Sequence, residues 1–258
     1  MAVKVGCCGF PIAKAEYYRR FAVVEIQQTF YNLPRVQTAE RWRQEALARR
    51  SRNGRADFEF TMKAWQLITH ERSSPTYRRL RKAIPEAERD LYGSFRPTEP
   101  VLKAWTDTAA VARALGASVI VFQCPPRFTP TEEHVENLRG FFRSVEHTGF
   151  VTAWEPRGDW PPDLVRRLCE ELHLVHVVDP LKQLPQSEGL RYFRLHGVTG
   201  YRYLHTDQNL RTVAEQCATD NPTYALFNNL FMGEDALRLQ ALAQPALRLV
   251  QADPQARA

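Results

Sequence analysis

Eight short apolar segments are spread along the chain, at 3–8, 22–27, 58–63, 118–123, 151–155, 174–179, 190–196 and 223–228, and each gives way to polar residues at its C-terminal end. The sharpest runs Val151, Thr152, Ala153, Trp154, Glu155, Pro156, Arg157, Gly158. Side chains alternate across a strand, so Val151, Ala153, Glu155 and Arg157 share one face while Thr152 and Trp154 take the other. The charges therefore collect at one end of one face. Between the segments the pattern changes to a helical period. Over 99–115, Val101, Leu102, Trp105, Ala109, Ala112 and Leu115 form an apolar stripe, and Gly116 stops it. Strands alternating with helices, with chemistry at the C-terminal strand ends, are the pattern of an α/β (β/α)8 TIM barrel. A chain of 258 residues with 44% hydrophobic content suits one such domain.

Period two also sorts the polar residues, because those ending the strands have the parity opposite to the bulky, helix-facing ones. The inward set is Glu25 and Gln27, Lys63, Gln123, Glu155 and Arg157, Asp179, Arg194 and His196, and Asn228. Glu25 is not a routine strand residue, since an unpaired buried charge is costly. Three carboxylates face Lys63, Arg157 and Arg194, with His196 able to titrate, and a low-dielectric mouth of this kind perturbs pKa values. Glu155, His196, Glu25 and Lys63 are the candidates for acid/base catalysis. Arg157 and Arg194 would fork onto a phosphate or carboxylate, with Gln27, Gln123, Asp179 and Asn228 contacting the rest of an anionic substrate. The structural alternative is an ion-pair network that plugs the barrel, although plugging does not require every charge to sit at one end.

The connection at 64–97 is the longest in the chain and carries Thr69, His70 and a basic run from Arg78 to Lys82. An insertion of that length after strand three is expected to act as a lid, with His70 near the pocket. A last helix is expected at 234–243 and a poorly ordered tail at 246–258, leaving one domain over 1–245. Helices are also expected near 16–21, over 38–50, and after Thr129, which stands at capping-box spacing from Glu132.

Lys and Arg together number 35 against 29 acidic residues, a formal +6 that favours anionic partners. Five cysteines without a C-x-x-C pair fit a reducing compartment, and the adjacent Cys7 and Cys8 read as small strand residues. The N-terminus lacks a signal-peptide pattern and no apolar run is long enough to cross a membrane, so a soluble cytoplasmic protein is expected. No G-x-G-x-x-G or P-loop motif supports a nucleotide cofactor. Glu25, Glu155, Asp179 and His196 are chemically adequate ligands for a divalent ion, but a single His without H-x-x-x-H or D-x-H argues against a multinuclear zinc site.

A resemblance covers nearly the whole chain. Val24 to Tyr31 (VEIQQTFY), Lys63 with Thr69 and His70, Phe122 to Pro126 (FQCPP), Trp154 to Gly158 (WEPRG), Arg194 to Gly197 (RLHG) with Tyr201, and Phe227 to Asn229 (FNN) resemble the YecE-like domain-of-unknown-function family, DUF72. The resemblance implies a TIM barrel and adds Tyr201 to the substrate-binding candidates; it implies no established activity. Two departures stand out: the family often has Asn where this chain has Gln27, and His where Gly158 follows Arg157. The family's barrel has been likened to endonuclease IV, a metal-dependent phosphodiesterase. Three classes follow: an acid/base enzyme on an anionic small molecule, a phosphodiesterase or nuclease, and a binding module without turnover. A basic track outside the mouth would favour nucleic acid, a closed pocket a small molecule.

Overall fold

A computed structural model describes residues 3–51 and 58–252. Eight parallel strands close into a barrel in chain order: β1 Val3–Cys7, β2 Val23–Ile26, β3 Glu59–Lys63, β4 Ala117–Gln123, β5 Val151–Glu155, β6 Val175–Val178, β7 Arg191–Leu195 and β8 Thr223–Phe227. β8 returns to pair with β1, with Cys7 opposite Phe227, so no edge is left open. The polar residues that follow each strand thus gather at one rim. Gln123 stands beside Glu155 in the β4–β5 ladder, and Glu25 beside Thr61 in the β2–β3 ladder.

The alternation read from the sequence divides the core in two. Val23, Val119, Val121, Ala153, Val177 and Leu226 belong to a cluster inside the barrel, whereas Val24, Phe60, Ile120, Phe122, Trp154 and Phe193 belong to the larger cluster under the helices. Adjacent residues of one strand therefore serve different cores. That separation is why the terminal polar residues point inward.

The outer helices are α1 Lys14–Arg20, α2 Gln28–Tyr31, α3 Val36–Ser51, α4 Gln66–Thr69, α5 Glu99–Leu115, α6 Glu132–Ser144, α7 Pro162–Leu172, α8 Asp207–Cys217 and α9 Met232–Ala252. α5 ends where expected, at Gly116 with φ +66°. α6 is capped by Thr131, whose hydroxyl accepts from His134 N, and not by Thr129. Glu132 and Glu133 then fall in the first turn, where the helix dipole favours them. Between β6 and β7 the chain crosses without a helix, using a turn at Asp179 whose carbonyl accepts from Lys182 and Gln183. The connection from β3 to α5 holds α4 and two short 3-10 helices, Pro75–Arg79 and Glu86–Leu91. α9 continues past residue 243 to Ala252, so part of the expected tail is helical; residues 253–258 lie outside the described residues. No helix among the described residues is long and apolar enough to cross a membrane.

Candidate functional site

Arg194 is the centre of the mouth. Its parity on β7 aims it into the barrel, where it is fully buried. Nε and Nη2 fork onto Glu25 at 3.1 and 3.0 Å, and Nη1 donates to Glu155 and, at 3.3 Å, to Gln123. Every nitrogen of this guanidinium is committed to a protein acceptor. Glu25 also accepts from Gln27 at 2.8 Å and from the Tyr192 hydroxyl at 2.9 Å. Because Tyr192 donates its proton to Glu25, the Thr61 hydroxyl 2.7 Å away donates to Tyr192 in turn. The chain of donors runs across the barrel from β3 to β7 to β2.

Glu155 bridges Arg194 to Arg157, whose Nε lies 2.8 Å from Oε1 and whose Nη2 lies 2.7 Å from it. Nη2 also donates to His196 Nε2 at 2.9 Å, so that imidazole carries its proton on Nδ1. Arg157 is 34% exposed while Arg194 is sealed, so Arg157 presents the guanidinium to solvent. Gly158 follows it against the carbonyls of Phe128 and Pro126; a Cβ there would meet them at 3.0 and 3.1 Å. Any side chain at position 158 would thus be tightly packed.

Lys63 ends β3 and is buried beside this network without joining it. Its ammonium lies 3.9 Å from the centre of the Phe30 ring and makes no hydrogen bond among the described residues. His70 packs edge-on against the same ring at 4.8 Å, its Nδ1 2.8 Å from the Thr69 hydroxyl. Thr29 fixes the wall, its hydroxyl sharing one proton between the carbonyls of Ile26 and Lys63 at 2.8 and 2.7 Å.

A family model described as "Protein of unknown function DUF72" matches residues 14–257. The chain belongs to the DUF72 family. Solved DUF72 structures share its fold. One from Enterococcus faecalis V583 has 20% identity and a TM-score of 0.69, covering 94% of this chain and 97% of that one. One from Thermotoga maritima MSB8 has 17% identity and a TM-score of 0.62, covering 95% and 100%. Endonuclease IV from Thermus thermophilus is a more distant likeness, at 14% identity and TM-score 0.51 over 95% and 99%. Comparison with curated proteins gave no match. At these identities the likenesses establish the TIM-barrel fold alone.

In this DUF72 mouth the charges split into held and unheld groups. Burial pushes the Glu155 carboxyl up, but Arg194, Arg157, His196 and Lys63 together draw it down to about 2. Burial, and then Arg194, depress Lys63 against the pull of Glu25 and Glu155, to about 7. Burial and neighbouring cations push His196 and His70 down to about 3, so both are neutral imidazoles near neutral pH. Arg194 is raised: burial opposes its charge, but Glu155 and Glu25 outweigh it.

The remaining DUF72 candidates sit around this centre. Asp179 accepts from His196 N at 3.3 Å and Leu181 N at 3.1 Å, and so positions the backbone of the His196 turn. Asn228 is half-buried, its N–H bonded to Leu195 O. Its neighbour Asn229 points away and donates to Asp235, which also holds His205 Nδ1 at 2.7 Å. Tyr201 is exposed, its carbonyl accepting from Leu230 N. Three mouth residues escaped the sequence criteria: Tyr192, Thr61 and Cys8. All have inward parity, the available signal, but Tyr192 and Thr61 lie within their strands rather than at the polar ends, and Cys8 reads as a small strand residue. Burial, followed by Glu25, raises the Cys8 thiol well above its usual range, against a hydrogen bond with Arg194. Among the described residues no group of three or more His, Cys, Asp or Glu could hold a metal ion. Both central carboxylates already serve guanidinium groups, so the donor set does not fit a divalent cation.

Proposed function

We propose that the DUF72 mouth performs acid/base chemistry on an anionic small molecule, with Lys63 transferring the proton and Arg157 meeting the anion. The observation that supports this is the position of Lys63: buried at the C-terminal end of β3, among charged neighbours, with an aromatic face in place of a hydrogen-bond acceptor. A base works best with a pKa near the working pH, and Lys63 at about 7 is the mouth group that meets this. Glu155 is too weak a base and, being ionised, has no proton to give; His196 offers Nδ1–H as a donor to substrate. With Lys63 neutral, Arg157 and Arg194 balance Glu25 and Glu155. An incoming carboxylate or phosphate would contact Arg157 from solvent and raise the Lys63 pKa, coupling binding to proton uptake. The arginine inside, Arg194, keeps the two carboxylates in place.

The test is competitive acetylation across a pH series, read residue by residue by mass spectrometry. Lys63 should become reactive with a midpoint near 7, well before surface Lys103, and saturating anionic metabolites that bind should move that midpoint upward. In a turnover screen of such metabolites, Lys63→Met should abolish activity and Arg157→Ala should raise KM. A Lys63 midpoint near 10 would defeat the assignment.

A further inference from the structure

We infer that a groove beside the mouth binds a nucleotide unit, a phosphate joined to a planar base, whether or not the mouth turns over a substrate. Two cavities of 360 and 610 Å³ meet there and share Gln28, Tyr31, Trp42 and Arg79. Each is of ligand size. The inner cavity begins at Gln27, which donates to Glu25, so the groove opens from the rim of the catalytic centre. It then passes between the loop after β1 and helices α2 and α3.

The lining combines two kinds of side chain. Lys14 lies 4.7 Å from the Trp42 ring centre and 5.4 Å from that of Phe10, and the Arg79 guanidinium lies 3.5 Å from the Tyr31 ring centre. Arg35 and Arg81 line the outer cavity. No carboxylate lines either cavity among the described residues. Glu45 reaches Lys14 only through its field, opposed by Arg41.

This contrasts with the arginines further along the same connection. Arg72 and Arg89 pair with Glu86, and Arg96 pairs with Glu71. Arg79, Arg81 and Arg35 form no ion pair among the described residues. Their backbone is nevertheless fixed: the Asn32 side chain donates to Arg79 O at 2.8 Å and accepts from Arg81 N at 2.7 Å. Tyr31 is anchored in turn, its carbonyl accepting from Trp65 Nε1 and Gln66 Nε2.

A cation lying on a ring is shielded from water on one side, which leaves its charge available to an anion on the other. Unpaired cations interleaved with aromatic rings along a groove suit a ligand that alternates phosphate with a flat base. A bare phosphate would leave the rings unused, and an apolar ligand would leave the cations unpaired. A free mononucleotide and a single strand share this chemistry.

Fluorescence anisotropy of a labelled oligothymidylate, with AMP as competitor, tests the assignment. The parent should bind. Arg79→Ala/Arg81→Ala should weaken binding at least about tenfold and reduce the salt slope by about 1.4, the value for two lost phosphate contacts on a single strand. Tyr31→Leu keeps apolar bulk and loses the ring; it should weaken binding roughly tenfold without moving the salt slope. Arg143→Ala, in a pair with Glu171 on the far helices, should bind as the parent does. Competition by AMP points to a free nucleotide as the source, and its failure to compete points to a strand. The inference is overturned if neither probe binds at roughly millimolar concentration. It is overturned equally if both groove variants bind as tightly as the parent while melting like it, or if inorganic polyphosphate displaces the oligonucleotide as well as unlabelled oligothymidylate does.

Discussion

At the floor of the barrel Lys4 is paired with Glu59, and the same carboxylate accepts from the Tyr224 hydroxyl and, at 3.3 Å, from Ser118. At the mouth, Arg194 and Arg157 hold Glu25 and Glu155, and Lys63 remains outside the pairing. The floor is what a plug looks like: one cation, one anion, hydroxyls filling the remaining lone pairs, and both charged side chains somewhat under a third exposed. The mouth contains a comparable plug and, beside it, a cation left out of the pairing, because the third carboxylate, Asp179, accepts from backbone N–H groups instead. On balance the site disfavours the charged form of that amine, because desolvation and the guanidinium groups beside it outweigh the pull of Glu25 and Glu155. The difference between the two ends is therefore the best structural argument that the mouth does something besides close the barrel.

The largest expected effect comes from Arg194. Arg194→Met takes the only paired cation from the fully buried Glu25, while Glu155 keeps Arg157, and breaking a buried pair in this way costs about 3–5 kcal/mol. Urea unfolding should show the loss shrinking at acid pH, where the abandoned carboxyl can protonate. Arg194→Lys should rescue only part, since an ammonium cannot fork onto Glu25 and reach Glu155 as well. A loss below about 1 kcal/mol for Arg194→Met would mean the mouth network is no more structural than a surface pair.

Lys63 should behave in the opposite sense. Its folded pKa is about 7 against an ordinary 10.5, so its charge opposes folding fully below pH 7. The penalty fades as pH rises from 7 to 10.5, over which the folded state is already neutral. Lys63→Met should thus stabilise the protein by on the order of 2–4 kcal/mol at pH 6 and by little above pH 10. Equal stabilities at pH 6 would show that Lys63 is solvated like any surface lysine.

A third effect is acid sensitivity belonging to the mouth. His196 and His70 have folded values of about 3 against an ordinary 6.5. A His with a depressed pKa contributes full stability above 6.5 and loses it as pH falls from 6.5 toward 3, because the unfolded chain takes up the proton. Each accounts for about 1–2 kcal/mol between pH 6.5 and 5. Glu155, drawn down to about 2, adds a loss of the same sign below pH 4.5. His70→Gln and His196→Gln should each flatten the fall in stability measured at pH 5 relative to pH 7; unchanged slopes would place the acid response elsewhere.

Much of this frame is legible in the residues. Parity alone assigns Glu25, Lys63, Glu155, Arg194 and His196 to the inside of the barrel, because period two is set by covalent geometry. Who pairs with whom is not, since Glu25 meets Arg194 across the barrel, 169 residues away in sequence, and no local spacing encodes that contact. The same blindness made Arg194 look available to an anion when its nitrogens are all engaged. It also hides the isolation of Lys63, which depends on Phe30 coming from α2, the short helix after the neighbouring strand. Tyr192 and Thr61 lie one inward position before the polar strand ends Arg194 and Lys63, so a criterion built on the strand ends misses them, although a hydroxyl relay is what completes the Glu25 acceptor sites. Arg79 and Arg81 stand in the sequence only as members of a basic run; the Tyr31 ring against Arg79 and the Trp42 ring against Lys14 are tertiary contacts that no local spacing encodes.

The smallest effect is the one that calibrates the rest. Lys4 and Glu59 are 29% and 28% exposed, so water and salt screen their attraction. Burial raises the Glu59 pKa, yet Lys4, Tyr224 and Ser118 together bring it below the ordinary value. After Lys4→Met, the Tyr224 and Ser118 hydroxyls still satisfy that carboxylate, and the methionine retains most of the aliphatic stem opposite Tyr224 in the β1–β8 ladder. The loss should be about 1 kcal/mol or less, and should shrink further at high salt. Because the Glu59 pKa is depressed, the contribution is present above the unfolded value near 4.5 and disappears as pH falls through the folded one. Salt titration of Lys4→Met beside Arg194→Met is the decisive pairing of measurements: the floor variant should converge on the parent as salt rises and the mouth variant should not. If both converge, the two ends of the barrel are the same kind of plug, and the unpaired amine of Lys63 loses its claim to a function.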